Sequence, residues 1–147
     1  MKTIETTTVV TMYEAFDGSQ FRFENECLLY EAKHRAKDLY RFTITIDKVP
    51  RKFYEVTTPN DLRIVCRTAD SENYTCYFSE QFKKGEYDNL VPGLIGFGYK
   101  DNDYLQDDHY VTSVQGLYDE LDTYISKYEN YKTLLKELVD AEGENRV

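Results

Sequence analysis

The chain has 147 residues, is 41% hydrophobic and carries a formal net charge of −9. This length and apolar content fit one domain with one buried core and exclude a disordered tail. The excess of acid argues against free nucleic acid or an anionic membrane surface as a ligand, because both attract cationic side chains. No apolar run approaches the ~20 residues that a membrane helix needs.

The amino-terminal part of the chain predicts a strand, a turn, a return strand and a helix. Residues 3–14 are dense in Thr and Val, which favours a strand. Asp17-Gly18 is a tight-turn dipeptide, and residues 19–23 follow as a short return strand. A helix is predicted over residues 24–38, since acids open it and basic residues crowd its second half, as the helix dipole prefers. The residues that share one face of this helix are Cys27, Tyr30 and His34.

Residues 40–49 give the clearest strand of the chain, because apolar and polar residues alternate along it. Pro50 is expected to end this strand, and a short strand is expected over residues 53–56. The apolar residues expected to face the core are Phe42, Ile44 and Ile46.

Thr58 and Pro59 together predict the start of a helix, with Thr58 as N-cap and Pro59 at the first helical position. The apolar spacing up to Ala69 favours a helix, although alternation in the same segment leaves a strand open. Two further strands are predicted over residues 74–78 and 94–99.

The last predicted element is a helix from Ser113 to about Ala141. Thr112 and Gln115 have the spacing of a capping box, and Gly143 is expected to stop the helix. Its apolar residues recur at alternating intervals of four and three, the spacing of a coiled-coil seam. The seam residues are Leu117, Leu121, Tyr124, Tyr128, Tyr131, Leu135 and Leu138. Either the helix docks on its own sheet, which the wider stripe at Tyr118, Ile125 and Leu134 favours, or the seam mediates self-association as a homodimer.

These elements predict a single α+β domain over residues 1–147. A mostly antiparallel sheet would be built from residues near 3–14, 40–49, 53–56, 74–78 and 94–99. The amino-terminal β-hairpin–helix unit and the long carboxy-terminal helix would pack on this sheet.

No catalytic, cofactor-binding or metal-binding residues are predicted. The chain has no G-x-S-x-G motif, and its cysteines lack zinc-ligand spacing. Asp101-Asn102-Asp103 begins like a calcium loop, but Tyr104-Leu105-Gln106 follow where an oxygen ligand and a glycine belong. Three cysteines without an apolar leader predict reduced thiols in a cytoplasmic protein.

The segment from Tyr13 to Glu31 contains the pattern D-G-x-x-F-x(5)-C-x-x-Y-E, which begins at Asp17. This pattern resembles a module near the start of many small accessory proteins of tailed bacteriophages. The resemblance implies a β-hairpin followed by a helix, with Phe21, Cys27 and Tyr30 as a minicore beneath it. Phe23 stands where such proteins more often have a Ser or Thr N-cap. The resemblance also implies a phage protein, acting in the host cytoplasm, that binds host factors, antiviral defence components or their nucleotide signals.

The distribution of charge and the presence of 14 tyrosines complete the functional expectation. Residues 100–147 hold 12 acids against 5 Lys and Arg, whereas residues 1–99 hold 15 against 13. We therefore expect a non-enzymatic inhibitor that binds a host protein with a basic surface. One alternative is a sponge that sequesters a nucleotide signal, with phosphate held by Arg63, Arg67 or Lys100. Another is an acidic mimic of nucleic acid. The expected partner-binding residues are Asp101, Asp103, Tyr104, Asp107, Asp108 and Tyr110.

Overall fold

The computed structural model describes residues 1–144 of the chain, which divides into two compact units. The first unit is Met1–Val111, and the second begins at Thr112. The predicted α+β class is confirmed: a hairpin and a helix open the chain, the sheet is mostly antiparallel and a long helix closes the chain. The single domain over residues 1–147 stays a prediction.

The first regular elements are β1 (Tyr13–Glu14) and β2 (Gln20–Phe21), which pair antiparallel around the Asp17-Gly18 turn. Gly18 has a φ of +88°, and the Asp17 carboxylate accepts the Ser19 N–H at 3.0 Å. The predicted strand over residues 3–14 is wrong except for its last two residues. Residues 1–12 form no helix or strand, and their side chains are exposed. Strand propensity has no effect where no partner strand supplies hydrogen bonds.

Two helices follow the sequence prediction closely. Helix α1 (Glu24–Leu39) begins after Phe23, which makes no side-chain cap, and buries Cys27 and Leu39. Helix α2 (Pro59–Asn73) begins as predicted, since the Thr58 hydroxyl accepts the Asp61 N–H at 3.1 Å. The predicted helix, rather than the alternative strand, is therefore confirmed. Its buried apolar residues are Leu62, Val65, Cys66 and Ala69.

The main sheet has four strands in the order β3 (Tyr40–Ile46), β4 (Val49–Val56), β5 (Gly93–Lys100) and β6 (Asp108–Ser113). Strand β4 pairs antiparallel with both β3 and β5. The strands predicted over residues 53–56 and 94–99 are therefore confirmed, and the strand predicted over residues 40–49 is confirmed only as far as Ile46. Strand β6 was not predicted.

Two expectations for the first hairpin of this sheet are wrong. Pro50 does not end a strand but lies inside β4, opposite Thr45. The turn is made instead by Asp47 and Lys48, which both have positive φ. Phe42, Ile44 and Ile46 pair with Phe53, Arg51 and Val49, on the face of the sheet opposite to the core residues Tyr54 and Val56, and Phe42 remains 40% exposed. Alternation identifies the apolar face of a strand but not the face of the sheet that the helices cover.

The strand predicted over residues 74–78 is also wrong. Tyr74 adopts a left-handed conformation with a φ of 52° and ends α2. Helix α3 (Tyr77–Lys83) then begins. The Asp70 carboxylate accepts the N–H groups of Phe78 at 2.9 Å and Ser79 at 3.0 Å, and this long-range cap holds the first turn of α3. A short 3-10 helix, Asp88–Leu90, precedes β5.

The core of the first unit lies between one face of the sheet and the helices α1, α2 and α3. Tyr54 and Val56 of β4 and Ile95 and Phe97 of β5 supply the sheet side, and Phe78 of α3 is fully buried against them. This arrangement fixes α1 beside α2, which positions the site described below.

The second unit consists mainly of α4 (Val114–Glu144). The predicted cap is wrong by one residue, because the hydroxyl of Ser113, not Thr112, accepts the Gly116 N–H at 3.0 Å. Gly143 does not stop the helix, which continues to Glu144. Packing of this helix on the sheet stays a prediction. Among residues 1–144, no helix combines the length and apolar character needed to cross a bilayer.

Candidate ligand-binding cleft

A cleft of about 580 Å³ lies between α1 and α2 beside the tip of the β1–β2 hairpin. It collects both cationic and aromatic side chains in one place. The residues that line it are Phe16, Leu28, Glu31, Ala32, His34, Arg35, Asp38, Asn60, Arg63, Ile64 and Arg67.

Helical periodicity explains why these side chains face one another. Asn60, Arg63 and Arg67 are three and four residues apart, so they form one stripe along α2. The opposite wall is a stripe of α1 that includes Arg35. Ala32 and Ala36 are buried on α1, and such small side chains let the two helices approach closely.

The three arginines of the cleft differ in their partners. Arg35 lies 3.5 Å from the Asp61 carboxylate, which is buried beneath it. Arg63 donates two hydrogen bonds to the neutral side-chain oxygen of Asn60, at 3.2 and 2.8 Å, so its charge is not compensated there. Arg67 is half-buried and forms no hydrogen bond or ion pair within the part of the chain that the structure describes. Two guanidinium charges are therefore available to an anion.

Two carboxylates, Glu31 and Asp38, also line the cleft. With Asp61 paired to Arg35, the three arginines and three carboxylates at the cleft sum to zero charge. Arg63 and Arg67 nevertheless form a stripe of two positive charges along α2 in a chain of net charge −9. Such a stripe selects a small anion over a large polyanion, which the acidic surface would repel.

The hairpin adds an aromatic wall. Phe16 is 67% exposed, and its ring meets the His34 ring edge-on at 5.5 Å. His34 also contacts Tyr30 at 4.5 Å. The Tyr30 hydroxyl donates to Asp17, and this bond, with the Ser19 N–H, lowers the pKa of the Asp17 carboxyl to about 2. The bonded turn therefore holds Phe16 at the mouth of the cleft. Of the residues expected in the minicore, Phe21 packs on Tyr30 at 5.0 Å and Cys27 is buried.

The predicted partner-binding residues lie on and beside the loop of residues 101–107. Asn102 links the two ends of this loop: its N–H donates to Asp107 at 3.1 Å and its amide donates to the Gln106 carbonyl at 2.9 Å. The Tyr99 hydroxyl also donates to Asp107, which raises the pKa of Tyr99 to about 12 and lowers that of Asp107. Asp107 is therefore a structural residue of the loop.

The tip of the loop remains available to a partner. Tyr104 is fully exposed and Leu105 is 77% exposed, with the exposed Asp103 beside them. Tyr110, a predicted partner-binding residue, is half-buried in β6, with the Arg51 guanidinium 4.7 Å from its ring centre. Asp108 also belongs to β6 and accepts a bond from Asn102 at 3.0 Å.

The two histidines make ring contacts. His109 stacks on Tyr77 at 4.0 Å and meets Phe78 edge-on at 5.5 Å, and burial lowers its pKa. Its Nε2 lies 3.3 Å from the Thr75 hydroxyl. His109 is therefore placed as a packing residue of the first unit.

The cysteines are separate thiols. Cys27 and Cys66 are buried, Cys76 is exposed, and all three are free. Burial raises the pKa of the Cys66 thiol to about 12, and the bond to Glu80 raises that of Cys76. None is activated as a nucleophile. Within residues 1–144, no group of three or more His, Cys, Asp or Glu side chains could hold a metal ion.

The predicted self-association residues follow one line along α4. Leu117 is buried and Tyr124 is half-buried, whereas the other five are 37–61% exposed. They are Leu121, Tyr128, Tyr131, Leu135 and Leu138.

Sequence reasoning identified part of the cleft. Arg63 and Arg67 were named as candidate phosphate ligands, and the structure brings them together; Lys100 does not line the cleft. Arg35 and Phe16 were missed, because their proximity depends on how α1 and the hairpin pack against α2. No family model matches the chain, and comparisons with curated proteins and with solved structures likewise find no match.

Proposed function

We propose that the protein is a non-enzymatic, phage-encoded binding protein that sequesters a small phosphate-bearing ligand of nucleotide type in the α1–α2 cleft. The observation that carries the proposal is the convergence of Arg35, Arg63 and Arg67 with the Phe16 and His34 rings on one cleft. The resemblance of the amino-terminal module to phage accessory proteins supports the origin.

The chemistry of the cleft suits such a ligand at both ends. A guanidinium presents a planar fork of N–H donors that matches phosphate oxygens. Among the described residues Arg67 forms no hydrogen bond or ion pair that phosphate binding would have to break. An exposed aromatic ring such as Phe16 offers a stacking surface to a base, worth about 1–3 kcal/mol. The volume of about 580 Å³ falls within the ordinary range for small-molecule sites.

Calorimetry against a panel of mononucleotides, cyclic nucleotides and inorganic phosphate tests the proposal. Arg67→Ala and Arg63→Ala should each weaken binding of the preferred nucleotide by ~10-fold or more, since each removes a charged hydrogen bond. Phe16→Ala should weaken nucleotides but not inorganic phosphate. Lys37→Ala is the matched control, because it removes a positive charge from α1 outside the cleft. Failure of every nucleotide to bind the wild-type protein would refute the proposal.

A second candidate function is inhibition of a host protein, including an antiviral defence component, through the loop tip. It is favoured by the exposed Tyr104 and Leu105 on a loop whose ends are hydrogen-bonded together. The Tyr104 ring, held in place by the hydrogen-bonded loop, could anchor a partner, and the neighbouring Asp103 carboxylate suits a partner with a basic surface. Asp103→Lys with Tyr104→Ala should abolish capture of that partner while leaving the melting temperature unchanged. Asp107 is unsuitable for this test because it holds the loop.

The acidic-mimic alternative receives less support from the geometry. A mimic needs carboxylates that are free to replace phosphates. Asp101, Asp107 and Asp108 instead accept hydrogen bonds from the loop itself.

A further inference from the structure

The second unit carries an apolar stripe that the functional site does not use. Taking Leu121 and Tyr128 as heptad position a, every large exposed hydrophobic residue of α4 falls at position a, d, e or g. These residues are Val114, Tyr118, Leu121, Ile125, Tyr128, Tyr131, Leu134, Leu135, Leu138 and Val139. Positions b, c and f hold only polar residues and glycine, so the apolar residues form one continuous stripe along a single face of the helix.

The stripe is large enough to stabilise an association. Its ten side chains are between 37% exposed at Leu121 and 65% exposed at Val139. With roughly 150–200 Å² for each large side chain, they present on the order of 1,000 Å², against the ~800 Å² that each partner buries in a standard interface. An apolar patch of this size on a soluble surface marks an interaction site.

The charge of α4 decides between two kinds of occupant. Residues 114–144 contain eight acids and three lysines, a net charge of −5. Helices that lie on membrane surfaces carry Lys and Arg on the polar face, because the lipid surface is anionic. A protein surface with the same heptad spacing is therefore the better fit, and a second copy of this chain supplies one.

The positions of the lysines select the direction of pairing. In a parallel, in-register pair, Lys127 at position g would face Lys132 at position e of the second copy, on both sides of the seam. An antiparallel pair centred between residues 129 and 130 avoids this repulsion. It stacks Leu121 on Leu138, Tyr124 on Leu135, and Tyr128 on Tyr131, and it places the buried Leu117 at the end of the seam, opposite Glu142.

We propose that α4 forms an antiparallel two-stranded coiled coil with α4 of a second copy. Sedimentation equilibrium should then give twice the chain mass of 17.4 kDa. Tyr128→Glu and Leu135→Glu should each weaken the dimer by at least ~10-fold, because each places a charge in the seam. Ser126→Glu is the matched control at the outer position f and should leave the dimer intact.

Circular dichroism of each variant separates loss of dimer from loss of fold. A wild-type protein that stays monomeric up to its solubility limit overturns the proposal. Equal dimerisation of the wild type and Leu135→Glu overturns it as well. Tight binding of the monomer to phosphatidylcholine vesicles would show that a lipid surface, not a second copy, covers the stripe.

Disulfide trapping tests the direction of the pair. Tyr124→Cys and Leu135→Cys proteins are prepared in a Cys76→Ser background, which removes the exposed native thiol. In the antiparallel pair these two positions face each other, so mild oxidation should cross-link a mixture of the two proteins but neither protein alone. Cross-linking of each protein with itself would mean parallel pairing and would overturn the assignment.

Discussion

Replacing Asp70 by Ala tests how the start of α3 is held. The Asp70 side chain is almost completely buried, 8% exposed, and accepts the N–H groups of Phe78 and Ser79 at 2.9 and 3.0 Å. Phe78 is fully buried, so its amide cannot turn to water when the carboxylate is removed. The substitution therefore leaves unpaired donors at the first turn of a seven-residue helix.

The expected loss follows from these two bonds. An unpaired buried donor costs about 1–3 kcal/mol, and the loss of an N-cap alone costs ~1 kcal/mol, so Asp70→Ala should lower the free energy of unfolding by about 3 kcal/mol. Asp70→Asn keeps an acceptor oxygen and should lose about half as much. For a chain of this size, 3 kcal/mol corresponds to a melting temperature lower by ~10 °C.

Urea titration followed by circular dichroism measures both variants. Asp88→Ala is the control, because it removes an exposed carboxylate from the nearby 3-10 helix. The reasoning fails if Asp70→Ala and Asp88→Ala unfold at the same urea concentration. An Asp70→Asn variant as unstable as Asp70→Ala would show that the charge, not the acceptor oxygen, is what matters.

Three further predictions concern packing and pH. Gly96→Ala should lower the free energy of unfolding by about 2 kcal/mol in urea titrations, because the added Cβ would lie 2.6 Å from the buried Phe53 ring. Gly143→Ala is the control and should not lower it, because a Cβ at Gly143 has no neighbouring atom within 4 Å. The Asp17 pKa is lowered from 3.8 to about 2, so its stabilising contribution is lost as pH falls through that interval. The difference in melting temperature between the wild type and Asp17→Asn should therefore disappear as the pH falls from 3.8 to about 2. A difference that stays constant over this pH interval would contradict the prediction. The Tyr99 pKa is raised from 10.0 to about 12, so the advantage of the wild type over Tyr99→Phe should disappear as pH rises between these values. A pH-independent difference would mean that the bond to Asp107 contributes nothing.

Local signals predicted the elements whose determinants lie within a few residues. Thr58 and Pro59 fixed the start of α2, and the acid-to-base order of charge predicted α1. The same kind of reasoning misplaced the cap of α4 by one residue, because Thr112 and Ser113 are both good caps and only the backbone geometry chooses between them.

The candidate cleft was only partly predictable. Arg63 and Arg67 share a face of one helix, so their proximity follows from spacing alone. Arg35 joins them only because α1 packs on α2, and Phe16 only because the hairpin folds back on α1. The loop residues show the opposite outcome, since the acidity of Asp107 suggested a binding role while its bonds to Tyr99 and Asn102 give it a structural one.

The sequence by itself determined the α+β class, the two amino-terminal helices and the heptad stripe of the last helix, since these depend on periodicity and capping over short distances. Only the tertiary structure decided that residues 1–12 lack a partner strand, that Asp70 starts a helix where a strand was predicted, and which charges meet in the cleft. Hydrogen bonds and ion pairs between residues distant in the chain depend on how the elements pack, and a single sequence does not encode that packing in any local pattern.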